Sequence, residues 1–227
     1  MDKEPKYMYN GSPVPRVTEI INKMIHEDYI VIWANKLGYQ HKSYQTELKR
    51  YADIGTVTHK RIEEILKGAP LNYYESAPVR AFCKWYDIIR IQPEFKLIYS
   101  EKELVSRDYG GTLDALMLIN GMRILVDFKT SNHITYKYFL QLAAYRKLLR
   151  EQDGMVIDAA IILQLDKQQP EFEEYILFMN EFGSLMNYYE QAFNTLVSGY
   201  NAINKCESLY NEYITVRETL QDAKFSN

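Results

Sequence analysis

Two adjacent stretches of this sequence bring two carboxylates and a lysine to positions where a divalent cation could be held and metal-assisted chemistry done. Residues 109–119 and 122–129 are apolar, extended candidates separated by Asn120-Gly121, and Asn-Gly is the strongest short-range signal for a two-residue hairpin turn. Such a turn pairs Ile119 with Met122, Leu116 with Leu125, Ala115 with Val126, Asp114 with Asp127 and Thr112 with Lys129. Side chains alternate with period two, so Asp114, Asp127 and Lys129 are expected on one sheet face. Two ionised carboxylates about 5 Å apart repel by about 3 kcal/mol at an effective dielectric of about 20. The apolar neighbours Leu113, Leu116, Val126 and Phe128 point to cover on both faces, which raises that cost. A shared proton would offset it. A divalent cation would do so more strongly, because hard oxygen ligands suit Mg²⁺ or Mn²⁺. Lys129 would then hold a nucleophilic water or stabilise charge developing on a phosphate. An Asp-x-Lys triplet alone is unspecific; the second Asp, set opposite by an independent turn signal, is what lifts it.

Two further clusters carry usable chemistry. Gly55-Thr-Val-Thr-His59-Lys-Arg-Ile-Glu63 places His59 and Glu63 one helical turn apart, a metal ligand and a carboxylate on one face. Gln141-Leu-Ala-Ala-Tyr145 places a Gln and a Tyr on one helix face just after the Lys129 strand, both able to hydrogen-bond phosphate or water. Each alone reads equally well as an ordinary helix surface.

The elements that must position these residues follow from periodicity. Residues 1–14 read as an irregular arm with a turn at Gly11-Ser12-Pro13. Val17, Ile20, Ile21, Met24 and Ile25 predict a helix over 16–36, and residues 39–53 a helix or an ordered loop. Helices are expected at about 56–67, ended by Gly68 and Pro70, and at 77–91, ended by Pro93. Strands follow at 96–105, 109–119 and 122–129, a helix at 137–151, strands at 158–165 and 172–178, then one or two long helices from Phe182 onward. The order predicts an α/β sandwich with a mixed central sheet. A single domain is expected, with an N-terminal helical part (1–92), an αβ core (93–180) and a C-terminal helical extension (181–227).

Composition narrows the class. The chain has 227 residues, 47% hydrophobic, enough for a substantial core. No apolar run is long enough to span a bilayer, no secretory signal is visible, and a cytoplasmic, membrane-free protein is expected. Cys83 and Cys206 are too few for a four-thiolate site and read as buried free thiols. The net charge of −3 argues against non-specific coating of nucleic acid. Basic residues nevertheless concentrate in 35–61 and 122–150, while the chain from 171 onward is acidic. If the two basic stretches meet in space they form a local phosphate-binding surface. Lys60, Arg61 and Arg146, with tyrosines between Tyr39 and Tyr51, are candidates for lining a strand-binding channel where bases stack.

Taken in order, Gly55…His59…Glu63, Gly111-Thr112-Leu113-Asp114, Val126-Asp127-Phe128-Lys129-Thr130 and Gln141…Tyr145 resemble the motifs of the PD-(D/E)XK nuclease superfamily. The likeness is to its RecB-like exonuclease branch, which includes the mitochondrial genome maintenance exonuclease and the CRISPR-associated adaptation nucleases. Pro15-Arg16-Val17-Thr18 resembles the opening motif of that branch, and Glu101–Ser106 its first strand. The likeness weakens after about residue 180, and the four cluster cysteines of the adaptation nucleases are missing, so no iron–sulfur centre is expected.

The resemblance implies a restriction-endonuclease-like core and a Mg²⁺- or Mn²⁺-dependent DNA exonuclease acting on single-stranded or end-containing DNA. It implies metal binding by His59, Asp114, Asp127 and the Phe128 carbonyl, and catalysis by Lys129. Gln141 and Tyr145 would position the lysine or the DNA, Thr130 would lie at the substrate, and Glu63 and Glu101 are further carry-overs. The resemblance further implies a role in phage or mobile-element replication, recombination or repair, with a recombination or replication protein as partner. The alternatives are a structure-specific or restriction-like endonuclease, a catalytically silent nuclease-fold subunit that binds DNA or assembles, and a protein with a purely structural metal.

Overall fold

The computed structural model describes residues 7–225. Residues 1–6, including the charged start of the expected N-terminal arm, lie outside the described residues. The order of elements is β1 (Tyr7–Tyr9), β2 (Ser12–Val14), α1 (Val17–Met24), α2 (Asp28–Tyr39), α3 (Tyr44–Leu66), α4 (Ala77–Ile89), β3 (Lys96–Val105), β4 (Gly110–Ile119), β5 (Met122–Lys129), α5 (Tyr136–Asp153), β6 (Ala159–Leu165), β7 (Phe172–Phe178) and α6 (Met179–Phe225). The five strands β3-β4-β5-β6-β7 form one sheet in that order, with β5 and β6 parallel and every other pair antiparallel. Parallel neighbours need a crossover, which α5 supplies. The fold is therefore the expected mixed α/β arrangement, a mixed sheet between helical layers.

Both faces of the sheet are covered. On one, Val17 and Ile20 of α1, Leu142 and Leu148 of α5 and Phe193 of α6 pack with Leu116 and Leu125. On the other, Ile62 of α3 and Phe82 and Trp85 of α4 pack with Val126, Phe128 and Ile161. This double cover explains why β4, β5 and β6 read as near-continuous apolar runs with polar interruptions at Asp114 and Asp127. Among the described residues no helix is long and apolar enough to cross a membrane.

Several expectations are corrected. The arm at 7–14 is a hairpin turning at Asn10-Gly11, with φ of 48° and 80°. The helix expected over 16–36 breaks at Ile25, whose backbone is extended. The buried Lys137 ammonium donates to the Ile25 carbonyl at 2.8 Å and pairs with Glu27 at 3.2 Å, so the chain leaves the helix to satisfy a charge. Residues 44–66 form one helix, begun by Ser43 accepting from the Thr46 N–H, where a separate segment before residue 56 was expected. Cys83 is buried, but Cys206 is exposed on α6. From residue 201 onward the described side chains of α6 include none that is buried.

Candidate metal centre

The turn at Asn120-Gly121, with φ of 51° and 78°, sets the register derived from sequence: Ile119 pairs with Met122, Leu116 with Leu125 and Ala115 with Val126. The paired ladder stops there, one step short of the two aspartates. Instead of a backbone pair, the Asp114 carboxylate accepts the Phe128 N–H through Oδ2 at 2.7 Å. Its other oxygen, Oδ1, lies 3.5 Å from His59 Nδ1. The mouth between β4 and β5 is thus held open by a side chain, and both acids are buried in it, Asp114 at 8% and Asp127 at 1% exposure.

β3 delivers a third acid. Ser100 pairs with Ala115 and Lys102 with Leu113, so Glu101 falls in register with Asp114. Glu101 has a φ of 49°, a left-handed backbone inside a strand. Ligand atoms of His59, Glu101 and Asp114 all lie within 4.8 Å of one another. One imidazole and two carboxylates in a half-buried recess are a donor set that fits a divalent cation.

Asp127 is held differently. Oδ1 accepts from Gln141 Nε2 at 3.1 Å, and the same amide donates to the Tyr145 hydroxyl at 3.2 Å. Lys129 Nζ stands 2.6 Å from Oδ2, an ion pair that is the one partner found for this buried oxygen among the described residues. Tyr145 reaches this position because Gly111 lies beneath its ring; a Cβ there would come within 2.4 Å of Tyr145 Cε1. The neighbouring Thr112 is tied to the N-terminal hairpin by Tyr7, oxygen to oxygen at 2.8 Å.

The electrostatics separate the two aspartates. Burial pushes Asp127 up to about 6, with the charge of Asp114 adding to the rise against the pull of Lys129. Burial acts in the same sense on Asp114, but His59, Lys129 and the Phe128 N–H outweigh it and hold that carboxyl below its ordinary value. For His59 and Lys129 burial opposes the charge, and the two aspartates overcome it, leaving both cations strengthened.

The residues singled out from sequence divide accordingly. His59, Asp114, Asp127, Lys129, Gln141 and Tyr145 converge. Phe128 gives its N–H to Asp114, and its ring packs against His59, Phe82 and Trp85. Thr130 lines a hollow of about 260 Å³ with His59, Lys129 and Tyr138. Glu101 enters the candidate ligand group, whereas Asp127 faces Lys129 and Gln141. Glu63 turns away and pairs with Lys67 on the surface of α3. Arg61 is engaged by Glu75, Glu64 and the Pro70 carbonyl, and Arg146 by Glu190 and Asn187, so neither guanidinium is turned to the recess. Lys60 is exposed on α3.

The second basic stretch does not form the expected joint phosphate surface, because Arg146, Lys147 and Arg150 bind residues of α6. Two residues near the recess carried no motif. Tyr138 has its ring 5.1 Å from Lys129 Nζ, and its i, i+3 spacing to Gln141 was the available signal. Lys167, in the loop after β6, lines the same hollow.

No family model and no curated protein sequence matches the chain. Among solved structures, one titled "Crystal structure of SSO0001" is similar, with 14% identity and a TM-score of 0.40 over 86% of this chain and 78% of that one.

Proposed function

We propose that the chain is a Mg²⁺- or Mn²⁺-dependent DNA nuclease of the PD-(D/E)XK type, working as an exonuclease on single-stranded or end-containing DNA. One observation carries this reading: two buried aspartates meet at the open mouth of a hairpin, one joined by His59 and Glu101 into a ligand group, the other paired with Lys129. Burying that much negative charge with a lysine in attendance has no structural benefit that apolar side chains would not give more cheaply.

His59, Glu101 and Asp114 would hold the cation. A bound divalent cation supplies Lewis-acid polarisation of the phosphodiester and counter-charge for its transition state. Lys129 then orients the attacking water and offsets charge on the phosphate oxygens, held at its station by Asp127 and by the Tyr138 ring. Gln141 and Tyr145 fix the Asp127 carboxylate, and so fix Lys129 through it. Glu63, Arg61 and Arg146 have no part in this.

End-labelled linear DNA, covalently closed circular DNA and metal choice test the reading together. Linear strands are expected to shorten from an end with Mg²⁺ or Mn²⁺, to survive in chelator, and to shorten far more slowly with Lys129→Ala. Cutting of closed circles would move the assignment to a restriction-like endonuclease. Intact substrates under every cation would refute hydrolysis of DNA.

A further inference from the structure

Beside the acid recess lies a groove that the hydrolytic chemistry does not use. Its walls come from α2, the first half of α3 and the loop after β5. Trp33 is at its centre, meeting Tyr44 edge-on at 5.3 Å between centroids and Tyr51 at 5.8 Å with a 53° tilt. Tyr29 approaches His133 at 6.4 Å. These rings are half-buried or exposed, and α2 buries only Leu37 among its 12 residues. The hollow they enclose measures about 420 Å³ and is largely apolar.

Its charge is of one sign. Lys167 Nζ sits 4.3 Å from the Tyr51 ring centroid and donates to the Asn132 side-chain oxygen at 3.1 Å. Lys36 lines the same hollow. Among the described residues neither lysine has a carboxylate within ion-pair distance, in contrast to Arg61, Arg146 and Arg150. The groove is also continuous with the recess, because Tyr51, Ser131 and Lys167 line both it and the hollow that holds His59 and Lys129.

Half-exposed aromatic rings lining an apolar hollow beside lysines without an ion-pair partner fit a flat aromatic group carried on an anionic backbone. In a duplex the base faces stay stacked inside and the protein meets only base edges, sugars and phosphates, which would leave this apolar hollow without a ring to stack. A single strand can turn a base outward onto a ring while its phosphates meet lysines. We propose that this groove seats unpaired bases of the DNA strand whose phosphodiester enters the acid recess, so that the enzyme selects single strands and frayed ends over paired DNA. The inference rests on the nuclease reading and adds to it the surface on which the strand's bases would sit.

Binding measured without cleavage tests it. Fluorescence anisotropy in EDTA and low salt would compare a labelled single-stranded DNA, its duplex, and the same strand with abasic residues. The single strand is expected to bind more tightly than either of the others. Trp33→Leu, which keeps an apolar side chain but no aromatic face, should weaken single-strand binding by about 5- to 150-fold, the worth of one stacked base. Trp33→Phe should retain most of it, and Lys167→Gln should lower it and flatten its salt dependence.

Loss in Trp33→Leu with retention in Trp33→Phe, both melting like the wild type, supports the seat. Equal binding of single-stranded, duplex and abasic DNA, or equal affinity of wild type and Trp33→Leu, overturns it. The two proposals fail separately. A protein that binds single strands through Trp33 but never cuts sinks the nuclease reading alone. A nuclease indifferent to Trp33 sinks the seat alone.

Discussion

The two sides of the β4–β5 mouth hold one aspartate each and treat them in opposite ways. On the β4 side, Asp114 meets His59 and Glu101, ligand atoms from three separate elements gathered within 4.8 Å in a half-buried recess. On the β5 side, Asp127 is locked among Lys129, Gln141 and Tyr145, with almost no exposure. The β4 side gathers ligand atoms from three elements; the β5 side ties its acid to a lysine and an amide. The difference teaches that a pair of acids derived from one hairpin need not do one job. Asp114 belongs with the candidate ligands, and Asp127 with the lysine it pairs.

Substitutions should separate those jobs. The largest effect is expected at Lys129: Lys129→Ala should lower kcat for DNA cleavage by about 10²–10³-fold, the size of effect seen when one group that stabilises transition-state charge is removed. Its circular dichroism and its thermal response to Mn²⁺ should stay those of the wild type, since the β4 ligands are untouched. Next comes Glu101→Gln. It should cut activity and also abolish the rise in Tm caused by saturating Mn²⁺, a stabilisation of about 2.7 kcal/mol at a hundredfold excess over Kd. Preserved metal-induced stabilisation in Glu101→Gln would merge the two sides again.

Gln141→Leu should be milder, an about 10- to 100-fold fall in kcat with little change in KM, because it loosens Asp127 without touching substrate. The smallest effect is expected at Glu63→Gln. Its exposed pair with Lys67 is worth well under 1 kcal/mol, and cleavage should stay within about twofold of wild type.

The hairpin arithmetic was legible because Asn-Gly fixes a register without any tertiary information, and Ala115↔Val126 stands where counting puts it. The same dipeptide at Asn10-Gly11 marks a second hairpin, yet its strands have only three residues each and no alternating pattern to announce them. Glu101, named above through the family resemblance, also follows from counting back from the turn that joins β3 to β4, where Val105 pairs with Gly110. Its left-handed backbone does not, because Glu has no local preference for it.

Other features depended on partners distant in the chain. The break between α1 and α2 answers to Lys137, more than a hundred residues away. The neutralisation of Arg146 and Arg150 answers to Glu190 on α6. Charge runs in a sequence name the cations but not their partners, and so the expected phosphate surface dissolved while the unremarked Lys167 took its place beside Tyr51.

Anomalous diffraction from crystals soaked in Mn²⁺ tests the central claim most directly, because it locates the ion independently of any substrate. The account predicts a single strong peak within coordination distance of His59, Glu101 and Asp114, lost in crystals of Glu101→Gln. Absence of a peak there under saturating Mn²⁺, or an ion bound elsewhere while cleavage proceeds, would contradict it.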